Sequence, residues 1–273
     1  MSPSTEPFPG SAVAPVAQLR LKGVPLGLVQ AVLFDKDGTM SHSEPKLLAL
    51  AEARILACLS QVGSGHRARL RDLLESAYGV RAGRIDPAGI TAVASRMHNL
   101  IATATAFAQV GLGWPEALNR SEILFDSIDA AAGSEPASAP TTKGLAPLLL
   151  ALDRAGVVLG VISNDQTHGI KHFLAAHGLE KHIRGIWSAD HLPAKPNPLA
   201  VHHFCAQLGV DPGACALIGD ADSDLAMAVA AGIPHALGYT AGWATKPKLA
   251  GGHLLIDHWS ELTVQATDPA NHA

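Results

Sequence analysis

The feature that most constrains this chain is an alternation of short β-branched apolar runs with longer Ala/Leu-rich amphipathic runs, broken once in its first half. Strands separated by helices rejoin one sheet only as parallel neighbours through right-handed crossovers. The alternation therefore predicts an α/β fold with a doubly wound, mostly parallel, Rossmann-like sheet. The first strand is expected over residues 29–34, a nearly continuous apolar run of the kind a strand covered on both faces requires. It stops abruptly at Asp35-Lys36-Asp37-Gly38-Thr39.

The break follows at once. For roughly a hundred residues the hydrophobic period is helical and strand signal is almost absent. Helices are expected over 45–62, 66–78, 87–108 and 115–132, three of them opening at a proline suited to the first helical turn. Residues 133–142, a mixture of Ser, Pro, Ala, Gly and Thr, offer neither a core face nor a helix and mark a boundary. Strands are expected again over 157–162, 183–187, 214–218, 234–237 and 253–256. The expected organisation is an N-terminal tail over 1–24, an α/β core built from 25–40 and 141–273, and an inserted all-helical cap over 41–140.

Composition narrows the function classes. The 273 residues suffice for one large domain or two modest ones, and a chain that is 48% hydrophobic, 16% charged and of net charge −4 is neither disordered nor a polyelectrolyte. Nucleic acid and acidic membrane surfaces are thus excluded as general partners. Residues 1–16 lack a basic start followed by an apolar run. The longest apolar stretch, 145–162, is interrupted by Asp153, Arg154 and Gly156 before it could span a bilayer. Cys58, Cys205 and Cys215 show no metal or redox spacing and read as reduced core thiols, which fits a soluble, cytoplasmic protein.

In an open parallel sheet, ligands gather at the carboxyl ends of the strands. Those ends carry Asp35 and Asp37, then Ser163-Asn164-Asp165, and then Gly219-Asp220-Ala221-Asp222-Ser223-Asp224, with Lys195-Pro196-Asn197-Pro198 on a loop between the last two. Carboxylates crowded on one rim repel one another unless a cation neutralises them, and an all-oxygen donor set suits Mg²⁺. With charge screened, Asp35 is a candidate nucleophile toward phosphorus, and Asp37, two residues on, a candidate general acid and base. Ser163 and the backbone N–H groups of Asn164 and Asp165 suit phosphate oxygens, and Lys195 supplies a fixed positive charge. Asp220 and Asp224, four apart across a helix start, are candidate metal ligands, one direct and one through water. Asp165 also reads as a helix N-cap, and Asp222 and Ser223 as first-turn residues. Trp114, Trp187 and Trp243 read as packing.

These four segments, in this order and after strands, resemble the four motifs of the haloacid dehalogenase superfamily. Within it they are closest to the phosphoglycolate-phosphatase-like hydrolases with a helical cap. The resemblance implies a Mg²⁺-dependent phosphomonoesterase acting on a small phosphorylated metabolite, phosphoglycolate or a sugar phosphate among the options. Asp35 would attack phosphorus and Asp37 would protonate the leaving alcohol and then activate water. Ser163, Asn164 and Lys195 would bind phosphate. Asp220, together with Asp35 and the backbone carbonyl of Asp37, would bind the metal. The second aspartate separates this pattern from true dehalogenases, which lack it. A mutase or phosphotransferase passing on the same aspartyl-phosphate, and a non-catalytic phospho-ligand scaffold, share the residues named. Lys36 departs from the family's usual apolar residue and His42 from a frequent acidic one, while Arg84, on a cap loop, reads as part of an exposed turn more than as a contact for a substrate carboxylate.

Overall fold

The computed structural model describes residues 16–132 and 138–267. The expected tail and boundary segment lie partly outside this range, at 1–15 and 133–137. Within it the N-terminal expectation is corrected: β1 (Ala17–Leu21) and β2 (Val24–Val29) form a hairpin where residues up to 24 were expected to be tail. Alternate residues of β1 are buried, so a half-buried strand emerges from a stretch whose proline-rich lead-in reads as loose. The first strand of the main sheet is accordingly shorter than expected, β3 (Ala31–Phe34).

The cap follows as α1 (Glu44–Ser60), α2 (Ser64–Tyr78), β4 (Val80–Arg81), β5 (Arg84–Ile85), α3 (Ile90–Val93), α4 (Arg96–Gln109) and α5 (Trp114–Ala132). It is helical except for the β4–β5 hairpin, and the helix expected over 87–108 is two helices, parted at Ala94-Ser95. Ser95 caps the second, accepting from the His98 N–H. The core resumes with α6 (Leu145–Arg154), β6 (Val158–Ile162), α7 (Thr167–Ala176), β7 (Gly185–Trp187), α8 (Pro198–Leu208), β8 (Cys215–Gly219) and α9 (Asp222–Ala230). It ends with β9 (His235–Tyr239), β10 (Leu254–Ile256) and β11 (Leu262–Ala266).

The main sheet has the order β10-β9-β8-β3-β6-β7, and every pairing in it is parallel. Every residue of β3 is buried. Val32 and Phe34 face a core shared with α6 and α7, whereas Ala31 and Leu33 face one shared with α8 and α9, as strand alternation requires. Both neighbours of β3 are reached by crossovers of opposite direction, so its carboxyl end is the topological switch point. The cap has its own apolar cluster, joined by Trp243 from the core. All three cysteines are buried and free.

The small sheet β11-β1-β2 covers the first core and brings Trp259 with it. Trp259 stacks on Tyr239 at a 4.2 Å centroid distance, meets the Phe34 ring edge-on, and donates its indole N–H to Thr142 Oγ1 at 2.8 Å. Thr142 in turn donates to the Thr39 carbonyl at 2.8 Å, inside the first site loop. Trp259→Ala is expected to cost about 3–5 kcal/mol of stability in urea denaturation. Trp259→Phe, which loses mainly the hydrogen bond, is expected to cost about 1 kcal/mol. A loss below about 1 kcal/mol for the alanine variant would remove Trp259 from this bracing position.

Candidate active site

Asp35 continues β3 by donating its N–H to the Ile218 carbonyl of β8 at 2.9 Å. The chain then turns sharply, with Ser41 N–H donating to the Lys36 carbonyl at 3.0 Å and Gly38 at a φ of 77°. A side chain at Gly38 would be strained by that φ and would also overlap Trp243 and the Asp220 carboxylate, so glycine is required twice over. Lys195 reaches this turn from the loop before α8. Its Nζ lies 2.6 Å from Asp35 Oδ1, 2.7 Å from Asp224 Oδ1 and 3.4 Å from the Ile162 carbonyl, all buried. Asp220, at the end of β8, accepts from Thr39 Oγ1 at 2.8 Å and from the Trp243 indole at 2.5 Å.

Asp35, Asp220 and Asp224 each present a carboxylate oxygen, and these oxygens lie within 4.8 Å of one another. One ammonium against three buried carboxylates leaves negative charge uncompensated. Burial therefore pushes Asp35 up to about 7, with Lys195 pulling against it and Asp224 and Asp37 adding to it. Burial and the neighbouring Asp35 and Asp224 likewise hold Asp220 well above the usual carboxylate range. For Lys195 burial acts downward, but Asp224 and Asp35 outweigh it and keep the ammonium charged. Three hard oxygen donors, none of them His or Cys, fit Mg²⁺. The Asp37 carboxylate is not part of that group, and the metal contact implied for this residue is its backbone carbonyl.

Asp37 instead accepts from Lys36 Nζ at 2.6 Å and from Ser43 Oγ. Burial would raise its pKa, but Lys36 and Ser43 overcome this and the net shift is downward. Lys36 also pairs with Asp165 at 3.0 Å. Asp165 is not the N-cap of α7, which is Gln166; its carboxylate pairs with Lys36 and accepts from the Gln166 N–H at 2.8 Å. Ser163 is buried at the end of β6, and its Oγ accepts from the Asp165 N–H at 3.2 Å. Asn164 Nδ2 donates to the Val93 carbonyl of the cap at 2.8 Å. The two first-turn aspartates of α9 diverge, Asp224 to Lys195 and Asp222 to the Ala250 N–H at 2.7 Å.

Asp35, Asp37, Ser163, Asn164, Lys195, Asp220 and Asp224 all line one cavity of about 180 Å³ between sheet and cap. The cap side contributes Leu47, Leu50, Arg54, Thr91, Arg96 and Asn99. Arg84 is elsewhere: it is exposed and lines a second cavity of about 620 Å³ with Arg81, Lys246 and Lys248. His42 Nδ1 lies 3.2 Å from the Gly242 carbonyl and packs on the loop after β9. Trp114 is half exposed rather than packed in a core, and Trp243 is a site residue as well as a packing one. Its position just after a parallel strand is the signal that could have found it. Arg54 had no signal beyond lying on a cap helix.

With this geometry in view, the comparisons agree with one another. A family model for haloacid dehalogenase-like hydrolase matches residues 29–232. A phosphoglycolate phosphatase of Rhodospirillum rubrum is 29% identical over 238 residues, covering 83% of this chain and 86% of that protein. One from Xylella fastidiosa is 32% identical over 207 residues, covering 75% and 78%. An N-acetylmuramic acid 6-phosphate phosphatase of Pseudomonas aeruginosa is 27% identical over 240 residues, covering 86% and 93%. The fold is shared with the solved structure of a predicted phosphoglycolate phosphatase from Haemophilus somnus, at a TM-score of 0.60 and 18% identity, covering 85% of this chain and 96% of that one. The chain belongs to the haloacid dehalogenase-like hydrolase family, where it is similar to phosphoglycolate phosphatases.

Proposed function

We propose that the protein is a Mg²⁺-dependent phosphatase that hydrolyses a small phosphomonoester through an aspartyl-phosphate on Asp35. The observation that carries this reading is the position of the Lys195 ammonium, bound at once to Asp35 and Asp224 in a buried acidic site. A carboxylate becomes a useful nucleophile toward a dianionic ester only where fixed positive charge offsets the repulsion, and Lys195 is fixed from two sides. Bound Mg²⁺, held by the Asp35, Asp220 and Asp224 group, would supply the remaining positive charge.

The chain's own groups divide the rest. Asp35 Oδ forms the bond to phosphorus as the ester oxygen leaves. Ser163 Oγ and the N–H of Asn164, in the loop between β6 and α7 that lines the cavity, would serve as phosphate donors. Asp37 stands outside the carboxylate group, on the turn beside Asp35, where it can give a proton to the departing alkoxide. Arrival of the substrate's negative charge raises the pKa that Lys36 otherwise holds down, which readies Asp37 to carry that proton. In the second step Asp37 takes a proton from water, whose oxygen attacks phosphorus and frees Asp35. Cap residues line the side of the cavity opposite the carboxylates, where they would shield this exchange from bulk water.

Asp35→Asn keeps the shape of the side chain and removes the nucleophile. Phosphate release is expected to fall about 10⁴-fold or more with the circular dichroism spectrum unchanged, and ordinary turnover in that variant would overturn the assignment. A thermal experiment probes the metal. Because the folded-state pKa of Asp35 lies near 7, above the unfolded 3.8, the folded protein holds this proton more tightly. Without metal, the stability this provides is complete below pH about 4 and is lost as pH rises toward 7. Mg²⁺ binds the ionised form, so the rise in Tm on adding Mg²⁺ is expected to grow from pH 5 to pH 8. A rise that does not change with pH would count against these carboxylates as the metal site.

A further inference from the structure

The second cavity, of about 620 Å³, lies between the β4–β5 hairpin of the cap and the core loop that follows β9. Small-molecule sites span ~300–1,000 Å³, so this one is of ligand size. Val93, Asp220 and Ala221 line both it and the catalytic cavity, and of the residues given a part in phosphate release Asp220 alone lies on it. Ile85, Pro87, Pro247 and Leu249 give it apolar lining. Arg81 and Arg84 on the cap side, and Lys246 and Lys248 on the core side, give it positive charge.

The hairpin itself sets the two arginines together. Arg81 and Arg84 are paired directly across it, on either side of a two-residue turn in which Ala82 and Gly83 have φ of 49° and 69°. Residues so paired share a face, and like charges there repel. Among the described residues neither arginine has a counterion, and neither does Lys248, whereas Lys246 is paired with Asp257 at 2.6 Å. The acids of the lining are turned to other donors. Asp222 accepts from the Ala250 N–H at 2.7 Å, Asp86 from the Ala88 N–H at 3.0 Å, and Asp220 from Thr39 and Trp243. Glu44 holds the two walls in place. Its buried carboxylate accepts from the Ile85 N–H of β5 at 3.4 Å and from the Ala244 N–H of the core loop at 2.7 Å. Walls set in advance spare a ligand the cost of assembling them.

We propose that this cavity is a second binding site, separate from the catalytic one, for an organic anion that carries two or more negative charges on an apolar body. Its charged groups meet Arg81 and Arg84 from the cap and Lys248 from the core, and its body lies on the apolar lining. Paired guanidinium groups present forks of donors that match oxyanions, and an oxyanion between them removes the repulsion the hairpin imposes. Because the contacts come from both modules, the bound anion ties the cap to the core.

The test uses naphthalene-1,5-disulfonate, a dianion that a phosphatase cannot hydrolyse, and ethane-1,2-disulfonate, which has the same charge without the aromatic body. Both are titrated calorimetrically, at low ionic strength and without Mg²⁺, into the full chain as wild type, Arg84→Gln, Lys248→Gln and Ser163→Ala. The wild type is expected to bind the naphthalene probe about 10-fold or more tightly than the ethane probe, from the apolar area covered. Arg84→Gln and Lys248→Gln are each expected to weaken the naphthalene probe about 10-fold, the yield of one charge-assisted hydrogen bond. Ser163→Ala, which changes the catalytic cavity alone, is expected to bind it as the wild type does. Should one charge variant fail to fold, the other decides. No binding of the naphthalene probe to the wild type, equal affinity for the two probes, wild-type affinity in the charge variants, or an equal loss in Ser163→Ala would each overturn the proposal, and none of these outcomes touches the phosphatase reading.

Discussion

The site is organised by one ammonium. Lys195 sits between Asp35 and Asp224, one directly after β3 and the other in the first turn of α9, the helix that follows the neighbouring strand β8. Without the lysine, three buried acids within 4.8 Å of one another could not be ionised together. With it, the charge deficit is reduced to what a divalent cation can fill. The same contact fixes the orientation of the Asp35 carboxylate, since its Oδ1 is held by the ammonium.

Much of this was legible because parallel sheets place their chemistry predictably. The uninterrupted apolar run of β3 announces burial on both faces, and an acidic residue directly after such a run has little reason to exist except at a ligand site. Asp35, Asp37, Ser163, Asn164, Lys195, Asp220 and Asp224, all of which line the cavity, were readable in this way. What resisted reading has physical causes. β2 is mostly exposed and shows no alternation, and β1 pairs on its other side with β11, more than two hundred residues away. A pairing of that sequence separation leaves no local trace. The β4–β5 hairpin has two residues per strand, too few to display a period.

Lys36 shows a different kind of gap. Its departure from the family pattern was visible, but its meaning was not until the structure gave it two carboxylates, Asp37 and Asp165. It converts the turn after β3 from an acidic pair into a mixed-charge chain that runs from the first motif to the second. Trp243 and Trp259 were obscured by the breadth of indole chemistry. Each is mostly hydrocarbon and buries accordingly, yet each spends its one N–H on the site, Trp243 directly on Asp220 and Trp259 through Thr142 and Thr39.

The path into the cap and the path out of it run side by side. Ser41 bridges Thr141, His42 N–H donates to the Pro140 carbonyl, and Thr142 N–H donates to the Met40 carbonyl. To the sheet, the whole inserted module is therefore equivalent to a hairpin turn. Evolution could lengthen, shorten or exchange such a module by recombination at a single locus while the phosphorus-handling residues stayed in register, which makes this antiparallel ribbon the natural seam along which one chemistry acquires many clients.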